Sequence, residues 1–282
     1  MNATRNRKFS LATGVIALLL AACSPSVNPS NSPTDSETPT PTPTPTTAAM
    51  TLYFVGDTKL GLRLYPETDS RTLAGGLALS ALRQLVDEQV EPLDPDYTNL
   101  WASGDNAVNS LTVSSGDATI DLRAVHLNVG SEGEALAIDQ LVWTAFTADP
   151  TIERVRFTVD GAPVESFAGH VDTTGWFPTD QALDALANIE IDFPKSGQSV
   201  SSPVIAKGFA CTFEAAVPWR LLRDGKVVKS GSALAAGGCP TRGEWTINLG
   251  DLDAGIYLLR VMELSAKDGS LLTQDTKTFI VQ

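Results

Sequence analysis

Few residues in this 282-residue sequence have the type and spacing to do chemistry. They are three cysteines (Cys23, Cys211, Cys239), two histidines (His126, His170) and a run of carboxylates, Asp87, Glu88, Glu91, Asp94 and Asp96, set around Pro92 and Pro95. Neither histidine accompanies a Gly-x-Ser-x-Gly turn, which would lift a serine nucleophile out of a strand, and His126 alternates with Val125 and Leu127 as a strand residue does. The acidic run offers the hard oxygen ligands that calcium takes. Asp94-Pro95-Asp96 nevertheless lacks the glycine and the closing glutamate of an EF-hand loop, so a calcium or acidic contact loop and a plain solvated loop both stay open. No phosphate-binding loop, dinucleotide fingerprint or His-Glu-x-x-His pair occurs. The sequence therefore assigns no catalytic residue, no metal site and no cofactor. A pair of carboxylates facing each other across a cleft would suit glycan hydrolysis. Trp101 and Trp176 read as exposed rings able to stack on a sugar, while Trp143, Trp219 and Trp245 read as packing.

The cysteines point to export. Arg5, Arg7 and Lys8 precede an uncharged apolar run, Phe9 to Ala22, and Leu20-Ala21-Ala22 leads directly into Cys23. This is a secretory signal, too short to span ~30 Å of hydrocarbon as a helix. The cysteine placement resembles the bacterial lipobox. That resemblance implies cleavage after residue 22, a diacylglycerol on the Cys23 thiol and anchorage to the outer face of the cell membrane; an ordinary secreted protein is the alternative. With Cys23 assigned to lipid, Cys211 and Cys239 remain as a candidate pair in an oxidising compartment, where closing their loop would contribute ~3 to 4 kcal/mol. Two buried free thiols are the other reading, and a zinc site lacks the paired spacing it needs.

Residues 23–49 form a tether made almost entirely of Ser, Thr, Pro and Asn, with a strict Pro-Thr alternation at 39–45. Proline fixes φ and removes donors, so the tether is expected to be disordered and extended, reaching on the order of 80 Å at ~3.1 Å per residue.

The first folded unit is expected at 50–175. Leu52-Tyr53-Phe54-Val55 and Leu60 to Tyr65 flank a turn signal at Gly56-Asp57. A helix carries Leu77, Ala81, Leu82, Leu85 and Val86 on one face, and Ser115-Gly116-Asp117 marks a hairpin. A second helix reads as opening on a capping box, Ser131 with Glu134, and Val155, Phe157 and Val159 form the last strand. The order ββαββαβ predicts an α+β sandwich with the helices on one face of a mixed sheet. Leu52-Tyr53-Phe54, Leu64-Tyr65-Pro66-Glu67, Ala118 to Leu122 and Val155 to Gly161 together resemble the GerMN domain of bacterial spore-germination and envelope lipoproteins. The resemblance carries no catalytic residues, and its likeness to ring-building domains implies protein assembly, including homo-oligomers through this domain.

After a connector at 176–187, short strand signals recur through 188–282, separated by turns such as Asp224-Gly225 and Asp268-Gly269-Ser270. This predicts an all-β immunoglobulin-like sandwich of about seven strands. The antibody cysteine spacing is absent. Phe193-Pro194, Ser202-Pro203-Val204, Gly208-Phe209-Ala210 and Lys267 to Ser270 resemble instead the immunoglobulin-like domain of bacterial spore-germination proteins.

Charge separates the two units. The whole chain carries a formal net charge of -13, which argues against nucleic acid as a partner. Residues 50–187 hold 7 basic and 21 acidic side chains, whereas residues 188–282 hold 10 of each. A partner of the first unit should thus be cationic, calcium-bridged or indifferent to charge. The expected function is that of a non-catalytic cell-surface lipoprotein binding or scaffolding the envelope, with an envelope protein or peptidoglycan as partner and the membrane reached through lipid. A carboxylate-dependent wall-glycan hydrolase and an extracytoplasmic accessory of a signalling system are the alternatives.

Overall fold

The computed structural model describes residues 46–282. The export signal at 1–22, Cys23 and all but the last few residues of the tether lie outside the described residues. In the first lobe, β1 (Thr47–Thr58), β2 (Gly61–Thr72) and β3 (Tyr97–Thr98) make an antiparallel sheet in the order β2-β1-β3. A second, mixed sheet runs β4 (Ala107–Ser114), β5 (Asp117–Ala124), β6 (Arg154–Val159) and β7 (Phe177–Pro178), with β5 and β6 parallel. The two longer helices are α1 (Leu77–Val86) and α2 (Ser131–Ala148), and α2 is the crossover that a parallel β5–β6 pair requires. The ββαββαβ succession is thus present, with the two-residue strands β3 and β7 added. The strands divide between two sheets instead of forming one.

One core joins these layers. Met50, Leu52 and Phe54 of β1 meet Leu82 and Leu85 of α1, Ile138 and Leu141 of α2, Ile120 and Leu122 of β5, and Phe157 of β6. The other face of β1 is buried too, because Tyr53 and Val55 pack with Leu64, Leu136, Trp143 and Leu186. Burial on both faces explains why Leu52 to Val55 is a continuous apolar run with no alternation. Fully burying one such side chain is worth roughly 1.5 to 3 kcal/mol.

Three local readings change. Gly56-Asp57 is not a turn: β1 continues to Thr58, the chain reverses at Lys59-Leu60, and Thr58 pairs with Gly61. The glycine serves close approach, since a Cβ on Gly56 would lie 2.7 Å from a Tyr65 ring carbon and 3.1 Å from one of Tyr97. The strand also starts at Thr47, taking in residues read as tether. The connector, in turn, belongs to the first lobe: β7 pairs with β6, the short helix α3 (Ala182–Ala185) follows, and Ala185 and Leu186 are buried in the second cluster.

Glu134 makes no capping box. The N-cap of α2 is Gly130, without a side-chain cap bond, and the Glu134 carboxylate is fully buried. It accepts four backbone N–H groups from a neighbouring loop: Phe167 and Ala168 at 2.7 Å on Oε1, His170 at 2.7 Å and Val171 at 3.1 Å on Oε2. Burial alone would raise its pKa, but the four donors outweigh that penalty and hold it below the usual carboxylate value.

The second lobe is a sandwich of eight strands around its own core, which includes Ile189, Ala206, Val217, Leu221, Trp245, Leu259 and Phe279. One sheet is β13-β10-β8, built from β8 (Ile189–Phe193), β10 (Val204–Ala210) and β13 (Gly243–Gly250). The other is β12-β11-β14-β15-β9, built from β9 (Ser199–Val200), β11 (Ala216–Arg223), β12 (Lys226–Leu234), β14 (Gly255–Leu264) and β15 (Leu271–Val281). The two-residue turn Asp224-Gly225 joins β11 to β12 with φ of 50° and 72°, the left-handed pair that a tight hairpin demands. A disulfide between Cys211 and Cys239 ties the loop before β13 to the end of β10.

Replacing Glu134 with Ala orphans four backbone donors at once. The expected cost is about 4 kcal/mol or more in a urea melt, given ~1 to 3 kcal/mol for each of the four donors left unpaired. Amide exchange at Phe167, Ala168, His170 and Val171 should accelerate before the rest of the lobe opens.

Candidate functional site

The densest cluster of buried charge lies where the two lobes meet, and β15 builds it. Alternate residues of this strand point inward. Phe279 and Val281 enter the sandwich core, while Thr273, Asp275 and Lys277 are each 4% exposed against the first lobe. The Lys277 ammonium donates to Asp94 Oδ2 at 2.6 Å, to Asp275 Oδ1 at 3.2 Å and to the Tyr97 hydroxyl, and lies 4.2 Å from the Tyr97 ring centroid. Tyr97 donates in turn to Asp275 Oδ1 at 2.8 Å and stacks on Tyr65 with ring centroids 4.5 Å apart. The second oxygen of Asp275 accepts the Ile191 N–H at 2.7 Å, so one carboxylate links β15, β8 and β3.

Electrostatics follow from that geometry. Burial pulls the Lys277 pKa down, but the Asp275 and Asp94 carboxylates outweigh it and raise the net value, so the lysine stays charged at neutral pH. Burial pushes Asp275 up against the pull of Lys277 and its hydrogen bonds. Glu67, itself buried, accepts the Leu93 N–H at 2.6 Å and the Asp94 N–H at 2.9 Å and thereby fixes the loop that presents Asp94. A second contact forms at Arg242, whose guanidinium donates to the Ala187 carbonyl of the connector and, at 2.7 Å, to Glu190 Oε2. Burial, reinforced by Asp275 and Asp192, pushes the Glu190 pKa to about 7 despite Arg242.

The residues singled out in the sequence disperse. Of the acidic run, Asp94 turns inward to Lys277, and Asp87 Oδ1 accepts the Val108 N–H at 2.7 Å. Glu88, Glu91 and Asp96 are exposed, and the described residues contain no grouping of three or more carboxylates, histidines or cysteines able to hold a metal. Asp94 is thereby engaged structurally, its carboxylate paired with the buried Lys277 ammonium. His126 pairs with Asp105 at 2.8 Å with both side chains exposed, and the His170 backbone serves Glu134. Trp101 is no glycan platform: it is fully buried and donates its indole N–H to the Ala137 carbonyl at 2.9 Å. Trp176 is half-buried, with the Arg154 and Arg156 guanidinium carbons 4.5 and 5.0 Å from its ring centroid. Trp143 and Trp245 are core residues, and Trp219 packs against the sandwich core. Sequence reasoning missed Lys277, Asp275, Glu190 and Arg242. The available signal was the inward register of β15, where polar residues occupy the positions that continue as Phe279 and Val281.

Two measurements test the seam. Lys277→Met leaves buried carboxylates without their cation and should cost ~3 to 5 kcal/mol in a urea melt at pH 7, partly recovered by adding Asp94→Asn. Glu190 has a folded-state pKa near 7 against an ordinary 4.5, so it takes up a proton on folding. Its contribution to stability is full below about pH 4.5 and is lost as the pH rises through about 7, a change on the order of 3 kcal/mol. Glu190→Gln should remove that slope, seen as a smaller stability difference between pH 5 and pH 8 than in the native chain; an unchanged slope contradicts the assignment.

Residues 51–165 match the family model described as "Sporulation and spore germination", and residues 188–270 match that of the "Immunoglobulin-like domain of bacterial spore germination". No curated protein matches the chain. Among solved structures it is similar to one described as a lipoprotein from Clostridium perfringens, at 20% identity over 50% of this chain and 94% of that one, with a TM-score of 0.33. It is also similar to the tandem GerMN domains of the sporulation protein GerM from Bacillus subtilis, at 16% identity over 66% of this chain and 60% of that one, with a TM-score of 0.35. The first GerMN domain of the same protein gives 20% identity over 50% and 97% of the two chains and a TM-score of 0.31. The family statement rests on the two matched models: the chain carries a GerMN domain of the sporulation and spore-germination family followed by an immunoglobulin-like domain of the bacterial spore-germination type.

Proposed function

We propose that this chain is a non-catalytic protein of the bacterial cell surface that binds or scaffolds envelope components, a protein partner or peptidoglycan, from a lipid anchor on Cys23. The observation that carries the reading is the use made of the charged groups. Asp94, Asp275 and Lys277 bond across the contact between the two domains, Arg242 reaches the Ala187 carbonyl of the first lobe while pairing with Glu190, and Glu134 is spent on a loop. Such bonds fix one domain on the other and suit a rigid body that presents outer surfaces to partners. The two matched families, both tied to spore germination, support an envelope setting.

Cross-linking in native membranes followed by partner identification tests this directly. The expected outcome is recovery of an envelope protein or of peptidoglycan fragments, together with label from palmitate that Cys23→Ser abolishes. Incubating the purified chain with peptidoglycan should release no muropeptides. Sustained release that a single Asp or Glu substitution stops would establish a hydrolase and overturn the proposal.

A further inference from the structure

Between the lobes, beside the Arg242–Glu190 pair, opens a cleft of about 350 Å³. Its first-lobe wall includes Tyr53, Pro66 and Leu186, and its second-lobe wall includes Glu190, Asp192, Phe209 and Arg242. The charges lining it do not balance. The Arg242 guanidinium is divided between the Ala187 carbonyl and one oxygen of Glu190, and a carboxylate can accept about four hydrogen bonds, so Glu190 retains acceptor capacity. Asp192 is exposed and takes part in none of the ion pairs among the described residues. Two carboxylates of the lining therefore face the cleft against one shared cation of the lining, with the nearby Lys195 ammonium engaged by the carbonyl of Thr68, beside a first lobe that is itself strongly acidic. An anion is disfavoured there. The charge balance favours a cation, and the apolar part of the lining suits an organic one. Pro66, Leu186 and Phe209 give the cleft an apolar wall suited to a methylene chain, the arrangement of a few polar groups in an apolar concavity that small-ligand sites share.

We infer that this cleft binds a primary alkylammonium group, with the ammonium held between Glu190 and Asp192 and the alkyl stem against Pro66, Leu186 and Phe209. The source is either a free amine or a lysine side chain of a partner. The inference rests on the reading of the chain as a binding protein and narrows the chemistry of what it binds. The titration of Glu190 supports it. Near neutrality this carboxyl is only partly ionised, with Arg242 opposing and Asp275 and Asp192 reinforcing the effect of burial, and with the phenols of Tyr53 and Tyr65 also facing it. An arriving ammonium would hold Glu190 ionised and expel its proton, so affinity should rise with pH.

Calorimetric titration of the purified chain with n-pentylamine, n-pentanol, cadaverine and Nα-acetyl-lysine-N-methylamide, at pH 8 and at pH 5.5, tests the inference. All three amines remain protonated at both pH values, so any change reports on the protein. Pentylamine is expected to bind and pentanol not to bind. The dissociation constant should rise ~10-fold or more on going to pH 5.5, as Glu190 protonates. Asp192→Asn removes an exposed carboxylate, so it should fold normally and weaken binding ~10-fold, the scale of one hydrogen bond to a charged group. Binding of the blocked lysine assigns the cleft to a protein side chain, and binding of cadaverine without it assigns a free diamine. Equal binding of pentanol, unchanged affinity in Asp192→Asn, or no binding by any amine overturns the inference. If an envelope partner is still recovered by cross-linking in that last case, the proposed function stands and only the cleft assignment falls.

Discussion

A lysine ammonium shut away from water governs how the two domains of this protein meet. Lys277 cannot shed its charge while two carboxylates lie within hydrogen-bonding distance, and it cannot keep that charge without them. Moving an ion out of water costs several kcal/mol even after the surroundings relax, and Coulomb attraction to partners recovers that cost only when their geometry is closely matched. The seam accordingly stabilises less through its ions than through what surrounds them, including the stacked Tyr65 and Tyr97 rings and the carboxylate-to-backbone bonds to Ile191 and from Glu67. The ions contribute selectivity: a displaced docking of the sandwich would strand Lys277 and Asp275 unpaired. Specificity of orientation is thus a property of three side chains that come from opposite ends of the folded region.

The same principle operates inside the first lobe. Glu134 is buried as completely as any core leucine, and it is tolerated because four N–H groups of one loop converge on its two oxygens. A loop that lacks regular structure has unsatisfied donors, and a helix-borne carboxylate is a compact way to satisfy several of them at once. In both places a charge is the nucleus of local order, and in both it is occupied by that task.

Much of the fold was legible because periodicity reports burial directly. The stripe Ala81, Leu82, Leu85 and Val86, the alternation of Val155 and Phe157, and the hairpin at Asp224-Gly225 each depend on neighbours a few residues away, and all three occur as read except that Leu77, at the head of the stripe, is exposed. What escaped depends on partners far along the chain. Gly56 looks like a turn residue unless the rings of Tyr65 and Tyr97 are known to lie over it. Ser131 and Glu134 have capping-box spacing, but the loop at 165–173 competes successfully for the carboxylate. Trp101 sits among polar residues in sequence and under α2 in space. The strand Lys226–Leu234 gave no signal because it is an edge, exposed at almost every position, and an edge strand need not alternate. Asp94 was visible as a candidate, but its partner is 183 residues away, so no local pattern could distinguish an ion-pair residue from a calcium ligand.

Charge segregation gives the molecule a direction. Among the acidic residues of the first lobe, Glu67, Asp94 and Glu134 are buried and engaged, yet many others remain on its surface with few bases to neutralise them. In physiological salt the field of exposed charges decays over about 8 Å, so it acts on what approaches that lobe and not on what approaches the far side of the sandwich. The second lobe carries equal numbers of acids and bases and imposes no comparable bias. Since bonds through Lys277 and Arg242 fasten the two lobes, the acidic surface has a fixed bearing relative to the neutral one. The field of the first lobe therefore favours cations over anions on that side of the molecule, while the sandwich imposes no such preference. Had the domains been joined by a free linker, the same charges would have attracted cations without directing them.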